Sequence, residues 1–316
     1  VFVPHLAALH DFERIDRSTS VGFITRGTAR QAMGEVGVTS PSLTPVAKEF
    51  HPLSSPYHST SALIKNRFLV WALVQRTLRT RYRMAGLGYV WMVLEPLLLA
   101  MTYWFLFVML AGNPDELYPI WVLVGVIVWG TFGKSLSGSV TSLTANAQII
   151  HTAYFPRIIF PFASTLGNIT ISLGSALVLI PIIFVFETPL TIHLIWVPIG
   201  IVLAGLMGGA LGIVFAPLNC RIRDVEHLFR FIVRAGFFFS PVMWTAEMAL
   251  ERGELGSMAL WNPMATPITM VRHGIDGHAV NLPEGVVVAS LAVLGLTLLI
   301  GSMVFSTRER EAVKYL

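Results

Sequence analysis

The chain has 316 residues, of which 54% are hydrophobic and only 13% charged, with a mean hydropathy of +0.68. A soluble domain carries about 25% charged residues, so this chain cannot cover itself with polar surface, and an integral membrane protein is implied. The net charge of +4 is modest and no nucleic-acid partner is expected; the single cysteine, Cys220, excludes an internal disulfide and a Cys-rich metal cage.

Residues 1–60 contain no apolar run long enough for a secretory leader. Their scattered Ser, Thr, Pro and Gly with both charge signs read, over 1–58, as a weakly ordered cytoplasmic arm. Residues 59–88 hold an amphipathic interface helix over 61–83, capped by Ser59, Thr60 or Ser61. Ile64, Phe68, Trp71, Val74, Leu78 and Tyr82 recur at helical spacing, and Lys65, Arg76, Arg79 and Arg83 gather opposite them. Such a helix lies in the headgroup plane, docks on a partner, or packs on the protein's own core.

Residues 89–316 read as an all-α, polytopic membrane domain of six transmembrane helices, each needing about 20 apolar residues. The spans expected are Tyr89–Ala111, Tyr118–Phe132 (continuing as a Ser/Thr-rich helix to Ala145), Phe160–Phe186, Ile192–Pro217, Leu228–Trp244 and Val286–Phe305. Arg230 and Arg234 shorten the apolar part of the fifth. Six spans put both termini on one side, and 20 of the 22 lysines and arginines then fall on that side, leaving only Arg252 and Arg272 opposite. By the positive-inside rule both termini are cytoplasmic, in a bacterial inner (plasma) membrane. The outer segment 245–285, with Trp261-Asn262-Pro263 and Pro267, is expected to form short helices dipping back into the membrane.

No catalytic residue and no metal site are expected. Gly133-Lys134-Ser135 is a decoy for a phosphate loop, because the position five residues before Gly133 is Val128 and no soluble strand precedes it. His273 and His278 lie five residues apart, a spacing that does not set two ligands on one helical face. Asp224 and Glu226 sit beside Arg221 and Arg223 and read as structural partners rather than a glycosyltransferase acid pair. Glu95 is the odd residue: it stands about two turns inside the first span, where a charge costs roughly 2.5–3.5 kcal/mol on insertion scales. An intramembrane pair with Arg230 or Arg234 is expected. Aromatic faces suit sliding glycans, so Tyr103 and Trp104 are candidate pore residues and Tyr118, Trp121 and Trp244 a candidate exit collar; lipid-facing belts and helix packing are the plainer alternative.

Several stretches resemble one family. RYRMAGLGYVWMVLEPLL at 81–98, NAQIIHTAYFPRIIFP at 146–161, Arg223-Asp224-Val225 followed by Ser240-Pro241-Val242, and Trp261-Asn262-Pro263-Met264 with Arg272 look like the motifs of type II ABC exporter permeases, in the right order over residues 60–316. The branch resembled exports lipid-linked polysaccharides such as O-antigen, teichoic acid or actinobacterial galactan. The long N-terminal arm and the Ala, Gly and Val richness resemble the galactan exporters most.

The resemblance implies a homodimeric pore with two separate ATPase subunits, which bind the ATP and Mg; this chain needs no cofactor. The cargo implied is a glycan linked to a polyprenyl diphosphate, moved outward through membrane lipid, with a permease for a small lipid or drug as the alternative. Residues 146–157 would form the coupling loop, shaped by Asn146, Tyr154, Phe155, Pro156 and Arg157, and 245–285 the outer gate. Arg81, Arg83, Arg157 and Arg221 are candidates for the lipid pyrophosphate, since guanidinium matches phosphate oxygens.

Overall fold

The computed structural model describes residues 61, 63–83, 86–111, 117–152, 155–188, 191–277, 282–283 and 285–316; the expected arm over 1–58 and Tyr154 lie outside them. Among the described residues the secondary structure is helical throughout, without a strand. The helices are α1 (Arg67–Tyr82), α2 (Trp91–Ala111), α3 (Tyr118–Val140), α4 (Ser142–Ala145), α5 (Ala147–Thr152), α6 (Ile159–Ser175) and α7 (Leu179–Val185). They continue as α8 (Trp196–Arg221), α9 (Asp224–Phe239), α10 (Ala246–Leu250), α11 (Glu254–Ala259), α12 (Ala265–Asp276) and α13 (Val286–Ala312). Five stretches are long and apolar enough to cross a membrane: Gly88–Leu106, Tyr118–Val140, Ile159–Val185, Ile192–Arg221 and Val286–Ala312.

α3 is the hub. It is apolar on all sides over its first three turns, the mark of a helix enclosed by others, and is buried along nearly its whole length. α8 approaches it through small residues: a Cβ on Gly208 would land on the carbonyl oxygen of Phe132, and one on Gly212 would meet Ser139 and the Leu136 carbonyl. Helices without a water-driven force between them gain by such close backbone approach. These contacts make α3 and α8 parallel, and Gly205 beside Ile169 with Gly209 beside Thr165 makes α6 antiparallel to α8. α13 also runs parallel to α8, with Gly301 beside Ala210 and Val214 and with Phe305 and Ala312 clustered with Ile213, Ala216 and Cys220. The helices α3, α8 and α13 therefore finish at one end of the bundle. That end carries Arg221, Arg308 and Arg310 and is called the basic end below.

The fifth expected span, Leu228–Trp244, takes a different form. α9 has 16 residues, about 24 Å of helix, short of the roughly 30 Å of hydrocarbon. Glu226, Arg230 and Arg234 break up its apolar run, and Pro241 holds Ser240 in an extended conformation that stops the helix. Even so, the segment follows α3 from end to end. Phe229 clusters with Leu136 and Val140, Val233 lies against Gly133, Gly236 against Trp129, Val242 against Gly125, and the Tyr118 hydroxyl donates to the Met243 carbonyl at 2.6 Å.

α1 buries Val70 and Val74 against Ile159 and Ala163 of α6, and buries Tyr82 too, while Ile64, Phe68 and Trp71 stay exposed. The expected single apolar stripe is thus divided between a protein-facing and an outward-facing part.

α2 begins after a 3₁₀ turn at Gly88, whose φ of 53° suits glycine. Inside α2, Pro96 has no N–H for the carbonyl four residues earlier, that of Met92. Ser175 of α6 supplies the missing donor, its Oγ standing 2.6 Å from the Met92 oxygen. Ser175→Ala should therefore cost about 1 kcal/mol, the low end of the penalty for an unsatisfied acceptor because the site is only part-buried, seen as a lower midpoint in thermal unfolding of the detergent-solubilised chain. In a Pro96→Ala background, where a backbone N–H returns, the same substitution should cost little. An equal cost in both backgrounds would show that the proline does not set the need for this bond.

Candidate functional site

A cavity of about 800 Å³ lies near the basic end between α1, α3, α6 and α9. Five cations line it: Arg76 and Arg81 from α1, Lys134 from α3, and Arg230 and Arg234 from α9. Two asparagines aim the α1 guanidiniums. Arg76 Nη1 donates to Asn146 Oδ1 at 2.9 Å, and Asn146 Nδ2 donates to the Ser142 carbonyl at 2.8 Å. Arg81 Nη1 donates to Asn168 Oδ1 at 3.1 Å, and Asn168 Nδ2 donates to the carbonyls of Lys134 and Ser164 at 3.1 and 2.9 Å. Each bond uses one of a guanidinium's several donors and leaves its charge intact. Arg230 is held on its own helix by Glu226, at 3.4 Å, and by His227, at 2.8 Å. Among the described residues no carboxylate lies within ion-pair distance of Arg76, Arg81 or Arg234. Tyr82, beside Arg81, has its phenol pKa raised by burial and adds no negative charge there. The result is a water-accessible site with a strong excess of positive charge, fit for a phosphate-bearing anion.

Of the four arginines expected to meet a pyrophosphate, only Arg81 lines this cavity. Arg83 is exposed at the end of α1, Arg157 stands in the turn before α6, and Arg221 closes α8 with its guanidinium 5.9 Å from the Tyr315 ring centre. The expected pairing of Glu95 with Arg230 or Arg234 is corrected: Glu95 Oε1 lies 3.0 Å from Lys134 Nζ. The reason is geometric. α2 and α3 are consecutive antiparallel helices, and Glu95 lies as far before the end of α2 as Lys134 lies after the start of α3. That symmetry was the signal available in the sequence. Lys134 was set aside there as part of a false phosphate loop, yet it proves central to the cavity.

The comparisons with known proteins agree with this architecture. The ABC-2 type transporter family matches the chain over residues 68–275. The chain belongs to that family. It is 27% identical over 201 residues to the O-antigen export system permease protein RfbA of Klebsiella pneumoniae, covering 63% of this chain and 77% of that protein. It is 25% identical over 250 residues to RfbA of Myxococcus xanthus, covering 79% and 95%. With the polysialic acid transport protein KpsM of Escherichia coli the identity is 26% over 249 residues, covering 76% and 93%.

In this ABC-2 type permease the remaining expected residues are dispersed. Asn146 joins the cavity wall, whereas Phe155, Pro156 and Arg157 form the half-buried turn between α5 and α6, and α5 itself has no buried residue. Tyr103 packs on Phe237 with ring centres 4.8 Å apart, and Trp104 is exposed. Tyr118 and Trp121 are buried and Trp244 is half-buried, so these three form a packed end rather than an open collar. Among the described residues no three His, Cys, Asp or Glu side chains converge on a metal-sized site.

What fastens that packed end is Arg272 of α12, which the sequence places on the outer side and within a motif but without a partner. Its buried guanidinium donates to the carbonyls of Trp244, Trp121 and Val242 at 3.0, 3.1 and 3.0 Å. One side chain thus ties α12 to α3 and to the turn that follows α9. Arg272→Met strips donors from three carbonyls and should cost about 3 kcal/mol or more, read as a large drop in unfolding midpoint and faster proteolysis within 240–260. Arg272→Lys, which lacks the planar fork, should recover only a minor part.

Proposed function

We propose that two copies of this chain, driven by a separate pair of ATPase subunits that bind ATP and Mg, export a polyprenyl-diphosphate-linked polysaccharide. The observation that carries the reading is the five-cation cavity at the basic end. A diphosphate diester carries about two negative charges on oxygens that match guanidinium geometry. Fixed, amide-oriented arginines recognise that group and leave the glycan free to vary. The relatives are named for different cargoes, O-antigen and polysialic acid, which suits a site whose cations do not read the sugar.

The basic end faces the cytoplasm in this reading, as the positive-inside rule requires. α8 and α13 run parallel, so the chain between them must return across the bundle, and 224–244 follows the whole depth of α3. That supports α9 with its following turn as a sixth crossing, with both ends of 61–316 in the cytoplasm. The short helices α10, α11 and α12 then form an outer re-entrant gate held by Arg272. α5 and the Phe155-Pro156-Arg157 turn present the surface that meets the ATPase, and α1 serves as the interface helix, its exposed Ile64, Phe68 and Trp71 turned to lipid or to the partner. The exposed Trp104 is the one proposed pore aromatic left open at the surface of the single chain.

Arg81→Gln combined with Arg234→Gln should lower surface glycan at least about tenfold, as loss of charge-assisted bonds implies, while chain level and ATPase co-purification hold. Lipid-linked glycan should accumulate inside. Gly130 lines the cavity with open space where a Cβ would go, so Gly130→Phe should block export while Gly130→Ala does not. Unchanged surface glycan in the double arginine variant and in Gly130→Phe would overturn the site assignment.

A further inference from the structure

The ion pairs Glu226–Arg230 and Arg308–Glu311 lie within single helices, whereas Glu95–Lys134 joins α2 to α3. Lys134 lines the cavity and Glu95 does not, so the carboxylate reaches the cavity's ammonium from outside its wall. Neither side chain is enclosed by the single chain: Lys134 is 30% exposed and Glu95 46%. A pair so placed is open to an anion arriving through the cavity, which meets the ammonium from the side opposite Glu95.

Charge and backbone point the same way. The five cavity cations face two acids, Glu226 and Glu95, a net of three positive charges. Glu226 already serves Arg230, which leaves Glu95 as the internal anion an incoming anion can replace. Glu95 also stands next to Pro96, where α2 lacks a backbone bond and its Met92 carbonyl depends on Ser175. α2 is attached here by side chains, and one of those attachments is the ion pair itself.

We propose that Glu95 is a place-keeper for the diphosphate. In the empty site it occupies Lys134; an arriving lipid diphosphate takes Lys134 over, and the released carboxylate loosens α2 from α3 and opens the cavity sideways toward the bilayer. This rests on the lipid-diphosphate reading above.

The test is binding of undecaprenyl diphosphate to the full chain in phosphatidylcholine nanodiscs. Glu95→Gln should tighten binding about two- to fivefold, the worth of a partly exposed competing pair. Glu95→Asp should stay near wild type, and Lys134→Gln should weaken binding about tenfold, roughly one charge-assisted bond. Glu95→Gln added to Lys134→Gln should then change nothing further. Spin labels on Leu99→Cys of α2 and Leu218→Cys of α8 report the opening, since Cys220 is buried. Their distance distribution should broaden when the lipid diphosphate is added, and in Glu95→Gln without it. Unchanged or weaker binding in Glu95→Gln, or a fixed label distance, overturns the place-keeper while leaving the diphosphate site standing. Binding indifferent to Arg81→Gln with Arg234→Gln overturns the site and the place-keeper together. Inorganic pyrophosphate binding as tightly as the lipid would show a free-anion site and overturn sideways opening.

Discussion

A backbone that crosses hydrocarbon has no water to complete its hydrogen bonds, and a carbonyl left without a donor there costs several kcal/mol. The structure meets that constraint with side chains at two irregular points. Pro96 orphans the Met92 carbonyl, and Ser175 fills the vacancy from α6. The chain turns at 240–244 after Pro241, and Arg272 collects the Val242 and Trp244 carbonyls together with that of Trp121. Each repair comes from a different helix, so satisfying the backbone also sets which helices touch. The position of α2 on α6 follows from proline chemistry as much as from apolar packing, and Arg272 adds a polar tie from α12 to α3.

The same economy shapes the cavity. A carboxylate at position 146 or 168 would hold Arg76 or Arg81 firmly but would cancel the charge. An amide orients the guanidinium and leaves the charge available. Asn168 does more, because its Nδ2 group bonds the Lys134 carbonyl, and so it keeps α1, α3 and α6 in register around the site. Cations brought together this way repel one another, and full burial would be prohibitive. Partial access to water at Arg230 and Lys134 is the condition that lets them coexist.

Much of this was legible in the sequence, for physical reasons. Long apolar runs identify α2, α3, α6 to α7, α8 and α13, because hydrocarbon sets a minimum length. Motif resemblance pointed to the family that residues 68–275 match. The fifth expected span shows no apolar run long enough to cross on its own, because its apolar residues are shared between burial on α3 and outward exposure while its charged residues face a cavity. A hydropathy window averages those faces together. Arg81 was found because it sits in an arginine-rich run; Arg230 and Arg234 were noticed for their depth but assigned the wrong partner. Lys134 was missed because its neighbours spell a motif from another fold. The Arg76–Asn146 and Arg81–Asn168 bonds span 70 and 87 residues, and no local pattern announces contacts at that separation.

The two asparagine bonds also connect the proposed ATPase contact to the proposed headgroup site. Asn146 immediately precedes α5, so a push on α5 reaches Arg76 through one hydrogen bond. Arg76 and Arg81 are five positions apart on one rigid helix, about 7.5 Å along its axis. A tilt of α1 that draws Arg76 with Asn146 therefore shifts Arg81 against Asn168, which is fixed to the Lys134 backbone. Ångström-scale motion at the basic end can thus respace three of the five cavity cations at once. Phosphate binding by several cations is steep in distance, so such a respacing changes affinity for the headgroup without any single contact having to break. Coupling in this reading needs only that α1 stay helical between its two arginines, and its packing of Val70 and Val74 on α6 supplies that rigidity.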